Sequence, residues 1–255
     1  MREARTSSTT SSTPTSSDEV LAVLKETGAY LTGHFKLSSG LHSPAYIEKF
    51  RLLERPELAE KVLRHLADRF RGDGVSVVIG PTTGGIIVAY EVARSLGARA
   101  IFAEREGGRR VLRRGFMIAP GERVLVVEDV VTTGLSVREV LDLVAEKGGE
   151  VVGVGMIVDR SRGQVDFGVR AERLVRVEFE TYVPEECPLC RENVPLIDPG
   201  SRRLGPEWSP VPAASGGSGG VRGRATGEAE EKATRGPRCV GGARPTRRSI
   251  GGDMA

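Results

Sequence analysis

The chain has 255 residues, of which 39% are hydrophobic and 28% are charged, with a formal net charge of +3. This length suits one medium domain with tails, and no apolar run approaches the roughly 18 residues of a membrane-spanning helix. Residues 201–255 hold ten Lys/Arg and five Asp/Glu, which leaves residues 1–200 with a net charge of −2. A folded part that is not basic argues against a nucleic-acid-binding domain.

The two ends of the chain differ in composition from its middle. Residues 1–17 are rich in Ser and Thr, and residues 204–255 are rich in Gly, Arg and Pro. Neither end has enough apolar residues to offset the entropy of ordering it, so both are predicted to be disordered tails. The folded domain is predicted to span residues 18–203. Without an apolar leader or a disulfide framework, a cytoplasmic protein is expected.

The first elements are a helix, an extended region and a second helix. Ser16-x-x-Glu19 forms a capping box, which predicts a helix that ends near Gly28. Residues 33–47 are predicted to be extended or turn structure, because Ser, Gly and Pro recur there. Pro56 suits a first helical position, and apolar residues at a spacing of four continue the predicted helix to about Phe70.

Strands and helices then alternate along the chain. The predicted strands are Val75–Gly80, Arg99–Ala103, Arg123–Glu128, Val151–Val158 and, at an edge, Leu174–Phe179. The predicted helices between them are Gly85–Leu96 and Ser136–Lys147. This order predicts an α/β fold with a central, mostly parallel sheet flanked by helices on both faces. Ligands of such sheets bind at the carboxyl ends of the strands.

Two further segments connect these strands. Gly80–Gly85 is a glycine-rich turn between a strand and a helix. Glu104–Pro120 fits none of the predicted elements and is rich in arginine. Because it is long, polar and contains Gly107-Gly108, it is predicted to be a lid.

The most informative stretch follows the strand Arg123–Glu128. Two acids, Glu128 and Asp129, are followed by the hydroxyls and glycine of Thr132-Thr133-Gly134 and then by a helix. Ser136-x-x-Glu139 forms another capping box, so Ser136 is predicted to be the N-cap. Free backbone N–H groups, the positive end of the helix dipole and the hydroxyls together predict a phosphate-binding loop.

The two acids would repel a phosphate bound beside them. They fit a ligand that also presents hydroxyls or a bound cation away from its phosphate, as ribose 5-phosphate does. Carboxylates accept strong hydrogen bonds from such hydroxyls and suit a neighbouring Mg²⁺. The alternative is an ordinary strand–turn–helix with a solvated acidic pair.

This stretch resembles the signature of the type I phosphoribosyltransferases, which implies their α/β fold with a small N-terminal hood. The resemblance implies that Glu128 and Asp129 hold the ribose hydroxyls, as the catalytic residues, and that Thr132 to Ser136 hold the 5-phosphate. The reaction would displace pyrophosphate from ribose C1 by a base nitrogen. Mg²⁺ is the expected cofactor, with no direct protein ligand assigned. The residues expected to bind phosphoribosyl pyrophosphate are Glu128, Asp129, Val130, Val131, Thr132, Thr133, Gly134, Leu135, Ser136 and Arg105.

Residues 33–46 resemble the hood segment of the orotate phosphoribosyltransferases, and the likeness covers about residues 18–203, with the hood at about 18–50 and the core at about 56–180. Asp159-Arg160 is similar to that family's Asp-Arg pair. The resemblance implies that Thr132 and Arg160 contact orotate, which Arg can grip through its carboxylate. It further implies orotidine 5-phosphate as product, a role in pyrimidine (UMP) biosynthesis, and a homodimer. The alternatives are another base, or a regulator that senses phosphoribosyl pyrophosphate.

Several positions depart from that resemblance. Many members of the family carry lysine where Ser38, Gly84 and Glu106 stand here. We hypothesise that Arg105, Arg109 or Arg110 replaces these lysines as a clamp on pyrophosphate. The alternative is a solvated basic hairpin. Gly80–Gly85 resembles the family's pyrophosphate loop, and a plain strand-to-helix turn is equally compatible with it.

The cysteines and histidines have no assigned role at this level. Cys187-x-x-Cys190 has the spacing of half a zinc site, and a structural site needs four ligands. The third cysteine, Cys239, lies in a predicted tail, so no zinc site is expected. His34 and His42 flank the hood segment and are expected to be structural, because neither is paired with a visible acid.

Overall fold

A computed structural model of the chain describes residues 17–199. The strands are β1 (Tyr30–Lys36), β2 (His42–Ile47), β3 (Val77–Pro81), β4 (Arg99–Glu106), β5 (Arg109–Val111), β6 (Arg123–Val131), β7 (Glu150–Asp159), β8 (Ala171–Arg176) and β9 (Leu196–Ile197). The helices are α1 (Ser17–Glu26), α2 (Phe50–Leu53), α3 (Pro56–Asp68), α4 (Gly84–Leu96), α5 (Leu135–Glu146) and α6 (Pro188–Arg191), with a short 3₁₀ turn at Pro184–Glu186. None of the helices between residues 17 and 199 is long and apolar enough to cross a membrane.

The core is a six-stranded sheet in the order β5-β4-β3-β6-β7-β8. Its neighbouring strands are parallel except for β5, which pairs antiparallel with β4. Alternate residues of β6 belong to two separate apolar clusters, Leu125 and Val127 to one and Val124 and Val126 to the other. The predicted mostly parallel sheet, with both faces buried, is therefore confirmed.

Helices cover both faces of this sheet. α1, α3 and α4 pack on one face, and α5 packs on the other. Pro56 begins α3 as predicted, since its missing N–H costs nothing in a first turn. α3 buries Val62, Leu63 and Leu66 along one side, as the apolar spacing indicated. The edge strand predicted at Leu174–Phe179 is β8, and it begins three residues earlier, at Ala171.

A smaller sheet in the order β2-β1-β9 forms a hood at the amino-terminal side. β1 and β2 make an antiparallel hairpin with an irregular register between Thr32 and Phe35. The extended structure predicted for residues 33–47 is confirmed. β9, near the other end of the described chain, pairs in parallel with β1 through His34 and Phe35. The predicted cap Ser16, residues 1–16 of the predicted tail 1–17 and the predicted tail 204–255 lie outside the described residues, whereas Ser17 begins α1.

Two local predictions are wrong. The segment Glu104–Pro120 was expected to fit no element, yet β4 continues to Glu106 and turns through two glycines with positive φ into β5. Backbone pairing between the arms makes this segment a hairpin at the sheet edge. The N-cap of α5 is Gly134, with φ of 75°, and no capping hydrogen bond from a side chain is present. Ser136 therefore lies in the first turn of α5, and its hydroxyl donates to Glu128.

Candidate active site

A cleft of about 720 Å³ opens at the carboxyl ends of β6 and β7, beneath the hood. The predicted site residues Val130, Thr132, Thr133 and Arg160 line it. The hood and the last described residues supply the facing wall, and its lining includes Lys36, Ser38, Tyr46, Lys49, Asp198 and Pro199. The cleft therefore lies where a parallel sheet binds its ligands.

Glu128 and Asp129 end the buried part of β6, with only 7% and 3% of their surface exposed. Glu128 Oε2 accepts a hydrogen bond of 2.7 Å from the Ser136 hydroxyl, and Oε1 accepts one of 3.0 Å from the Asp129 N–H. Burial and the neighbouring charge of Asp129 raise the pKa of Glu128 to about 7. The first acid is thus poised to gain or lose a proton near neutrality.

Asp129 has a cationic partner that the sequence did not reveal. Lys49 Nζ, just after the hood strand β2, lies 3.3 Å from Asp129 Oδ2. Burial lowers the pKa of Lys49, but the adjacent charge and hydrogen bond of Asp129 raise it further, so the net shift is upward. Lys49 therefore stays charged and links the hood to the acidic end of β6.

The turn between β6 and α5 has the form predicted for a phosphate-binding loop. Within residues 17–199, the N–H groups of Thr132, Thr133 and Gly134 donate to no other backbone group. Gly134 adopts a left-handed conformation, and a Cβ there would lie 2.7 Å from Val165 Cγ1. The predicted Ser136 cap is replaced by the Ser136–Glu128 hydrogen bond, which joins the acidic half of the loop to its phosphate half.

The glycine-rich turn Gly80–Gly85 lies against the same acids. A Cβ on Gly84 would collide with the Asp129 carboxylate, and one on Gly80 would collide with the Gly85 backbone. The site therefore has no room for a side chain at position 84 unless Asp129 moves. The close packing of Gly84 against Asp129 accounts for a glycine at this position, where many members of the resembled family carry lysine.

Arg160 lies at the end of β7, and its guanidinium sits 4.7 Å from the centroid of the Phe179 ring. Burial lowers its pKa, although Arg remains charged at any physiological pH. The adjacent Asp159 does not line the cleft. Its Oδ1 accepts hydrogen bonds from the Ser161 N–H and hydroxyl, and its Oδ2 pairs with Arg176 at 3.2 Å. Asp159 thus fixes the turn that presents Arg160.

The arginines of the edge hairpin lie outside the cleft lining. Arg105 and Arg110 both pair with Glu139 of α5, and Arg110 also donates to Thr82 Oγ1 at 3.1 Å. Arg109 pairs with Glu146 at 3.4 Å and has an 80% exposed side chain. The clamp hypothesis therefore narrows to Arg110, because it alone of the three touches the Gly80–Gly85 turn by a hydrogen bond.

Sequence reasoning missed the cationic lining of the cleft and a second cluster. Lys36 and Lys49 both line the cleft, although neither was assigned a role. The expectation of no four-ligand metal set is also wrong. His34, His42, Cys187 and Cys190 place their ligand atoms within 4.8 Å of one another. That expectation considered cysteine ligands only. The two further ligands are the hood histidines His34 and His42.

Comparison with known proteins first defines the class. The model of the phosphoribosyl transferase domain family matches residues 51–167, which run from α2 to just beyond β7 and include the loop described above. A crystal structure of orotate phosphoribosyltransferase from Aeropyrum pernix superposes with a TM-score of 0.55 at 32% identity, covering 62% of this chain and 93% of that one. The chain has the type I phosphoribosyltransferase fold.

The sequence relatives are more specific. Orotate phosphoribosyltransferase of Pelotomaculum thermopropionicum is 57% identical over 187 residues, 73% of this chain and 98% of the relative. The same enzyme of Caldanaerobacter subterraneus subsp. tengcongensis is 55% identical over 187 residues, with the same coverage of both chains. The chain belongs to the orotate phosphoribosyltransferase family.

Proposed function

We propose that this protein transfers the 5-phosphoribosyl group of phosphoribosyl pyrophosphate to orotate, forming orotidine 5-phosphate and pyrophosphate. In the transfer, a ring nitrogen of orotate forms a bond to ribose C1 while the bond from C1 to the pyrophosphate oxygen breaks. The observation that carries the proposal is the loop from Glu128 to Ser136, of which Val130, Thr132 and Thr133 line the same cleft as Arg160.

The 5-phosphate belongs at the start of α5. Thr132, Thr133 and Gly134 offer backbone N–H groups without backbone partners, and two of them add hydroxyls. The positive end of the α5 dipole favours an anion there. The tight turn at Gly134 lets the backbone approach the phosphate closely, which a side chain at that position would prevent.

The ribose ring then extends toward the end of β6. Glu128 and Asp129 are the acceptors for its 2- and 3-hydroxyls, and Lys49 and Ser136 hold the two carboxylates in place. Hydrogen bonds to an ionised acceptor are stronger than neutral ones and fix the sugar relative to the base. This arrangement orients C1 toward the hood, where the incoming base binds.

Orotate fits the part of the cleft beside the loop, at the end of β7. Arg160 presents a guanidinium for the orotate carboxylate, and stacking on Phe179 leaves its donor edge free to point into the cleft. Thr132, the first residue of the phosphate loop, lines the same cleft as this guanidinium and offers a hydroxyl to the base. A planar, anionic base matches a cleft lined by Lys36, Lys49 and Arg160.

Mg²⁺ fits this site as an ion carried by the substrate. Each oxygen of Glu128 and Asp129 already has a protein partner, namely Asp129 N–H, Ser136, Val130 N–H and Lys49. Mg²⁺ prefers oxygen ligands and commonly keeps waters and substrate phosphates around it. Bound to the pyrophosphate oxygens, it would neutralise charge on the leaving group. The two carboxylates would then hold only its outer waters.

The test is a base scan with the purified full-length chain. Phosphoribosyl pyrophosphate, Mg²⁺ and one base at a time are incubated with the protein, and pyrophosphate release is followed. Release with orotate alone is expected. Release with a purine or uracil instead would assign another base. Binding of phosphoribosyl pyrophosphate without release with any base would identify a sensor rather than an enzyme.

We also propose the homodimer that the family resemblance implies, with the edge hairpin of one subunit near the cleft of the other. Arg105 has a 48% exposed side chain, so it is accessible to such a neighbour. Light scattering after size exclusion measures the mass directly, and a monomer at assay concentration would contradict this part of the proposal.

A further inference from the structure

Four side chains from distant parts of the chain meet at the back of the hood. His34 lies on β1, His42 begins β2, and Cys187 and Cys190 bracket the first turn of α6. His34, His42 and Cys187 are 1%, 5% and 0% exposed. Their ligand atoms lie within 4.8 Å of one another, and both sulfurs are free thiols. None of these residues takes part in the chemistry proposed above.

The separations match those of ligands around one ion. His34 Nε2 lies 3.4 Å from Cys187 Sγ and 3.7 Å from Cys190 Sγ. His42 Nδ1 lies 3.3 Å from Cys190 Sγ and 2.9 Å from His34 Nε2. Tetrahedral zinc, with bonds of about 2.0 to 2.3 Å, spaces its nitrogen and sulfur ligands about 3.3 to 3.8 Å apart. All four atoms lie within 4.8 Å of one another, so shifts of about an ångström or less would complete the geometry.

An outer hydrogen bond already orients the central histidine. His34 Nδ1–H donates to the Val194 carbonyl at 2.8 Å, so its Nε2 carries the lone pair that faces the two sulfurs. Histidine ligands of metals are commonly held in this way by a carbonyl or carboxylate. In the absence of an ion, His42 Nδ1–H can donate to His34 Nε2. When an ion binds, the His42 proton would move from Nδ1 to Nε2, and the two thiols would release their protons to solvent.

We propose that His34 Nε2, His42 Nδ1, Cys187 Sγ and Cys190 Sγ bind one structural Zn²⁺. Thiolate and imidazole ligands together favour zinc over the harder Mg²⁺, which prefers oxygen. Four protein ligands close the coordination shell and leave no position for substrate, as in structural zinc sites. The site is independent of the transferase proposal, since no ligand lines the cleft.

The ion would link the segment that contains α6 and β9 to the hood. Backbone hydrogen bonds between His42 and Tyr182 and the pairing of β9 with β1 already hold this segment there. Asp198 and Pro199, which directly follow β9, line the cleft. A bound ion would therefore stiffen one wall of the cleft, because it links α6 to both strands of the hood hairpin.

The test measures metal in the full-length protein, purified under reducing conditions with zinc in the growth medium. Mass spectrometry of metals is expected to find about one Zn²⁺ per chain after desalting. Cys187→Ser, Cys190→Ser and His34→Ala are each expected to lower zinc affinity by more than the roughly tenfold that loss of an outer-shell partner costs. His65→Gln and Cys239→Ser serve as matched controls and should retain the ion.

A second measurement covers variants that fail to fold. A strong chelator applied to the wild-type protein should lower its unfolding temperature, and added Zn²⁺ should restore it. Titration of the thiols with a mercurial should release zinc in step with two modified cysteines. Stoichiometric iron, a Cys187–Cys190 disulfide in reduced preparations, no binding from excess Zn²⁺, or zinc loss in Cys239→Ser would each overturn the proposal.

Discussion

The phosphate loop and the rest of the cleft lining are built differently. Residues 128–136 are contiguous, so one turn of chain supplies acids, hydroxyls, a glycine and a helix start. The rest of the cleft lining combines the hood hairpin, the Arg160 turn and the segment after β9, which are far apart in the sequence. A contiguous site needs only its own turn to form, whereas an assembled wall depends on several packings at once.

The largest effect is expected for substitutions in the contiguous part of the site, residues 128–136. The double substitution Glu128→Gln, Asp129→Asn removes both charged acceptors for the ribose hydroxyls while keeping their shape. Two lost charge-assisted hydrogen bonds should lower kcat/KM for phosphoribosyl pyrophosphate by about 100-fold or more. Initial rates of pyrophosphate release against substrate concentration measure this.

Asp142→Asn, an exposed acid on α5, is the matched control and should leave the rate within about twofold. A double variant with near-normal kcat/KM would show that the acids serve the fold rather than the ribose, and would remove the basis for treating this stretch as the catalytic half.

The assembled wall is tested next through Arg160. Arg160→Lys keeps the charge but loses the planar, two-pronged donor and the stacking on Phe179. Orotate KM is expected to rise about 10- to 100-fold, with little change in the affinity for phosphoribosyl pyrophosphate. Arg64→Lys on α3 controls for a general Arg-to-Lys effect. If both substrates weaken equally, Arg160 supports the cleft as a whole and does not select the base.

A smaller effect is expected on the affinity for phosphoribosyl pyrophosphate, which should change about tenfold per pH unit because of Glu128. Burial and Asp129 raise its pKa from 4.5 to about 7, so the folded chain holds a proton that the unfolded chain has lost between these values. Glu128 therefore favours folding toward pH 4.5, and this contribution disappears as the pH rises through 7. Ribose hydroxyls need the ionised form, so binding should have the opposite dependence and weaken below pH 7.

Calorimetric titration of phosphoribosyl pyrophosphate in buffers of different ionisation enthalpy measures the proton released on binding. The same titration with Glu128→Gln isolates the ionisation of the substrate's own phosphates. An equal pH slope in both proteins would show that Glu128 is already ionised in the free enzyme.

The contrast also explains which parts the sequence predicted. The strand Arg123–Glu128 and the turn at Gly134 depend on neighbours in the chain, and both predictions are confirmed. The Ser136 cap failed because α5 begins at Leu135, with Gly134 at the N-cap position, so Ser136 lies inside the helix and its hydroxyl donates to Glu128. Lys49 and the His34–Cys187 contact join residues that only the folded topology brings together, so no local pattern reports them. The cytoplasmic location stays a prediction.

The smallest expected effect concerns the edge hairpin. It decides whether a hairpin arginine holds pyrophosphate or the hairpin is only a solvated basic edge. Arg110 is 7% exposed and bonds Thr82 and Glu139, whereas Arg109 is 80% exposed. Arg110→Ala should raise the KM for phosphoribosyl pyrophosphate about tenfold, because it frees the turn that carries Thr82. Arg109→Ala, as the matched control, should change it less than about twofold.

If the two variants together leave turnover unchanged, the hairpin is only a solvated edge. If Arg109→Ala has the larger effect, the exposed arginine acts on a neighbouring subunit, and the site would be assembled across the dimer as well as along the chain.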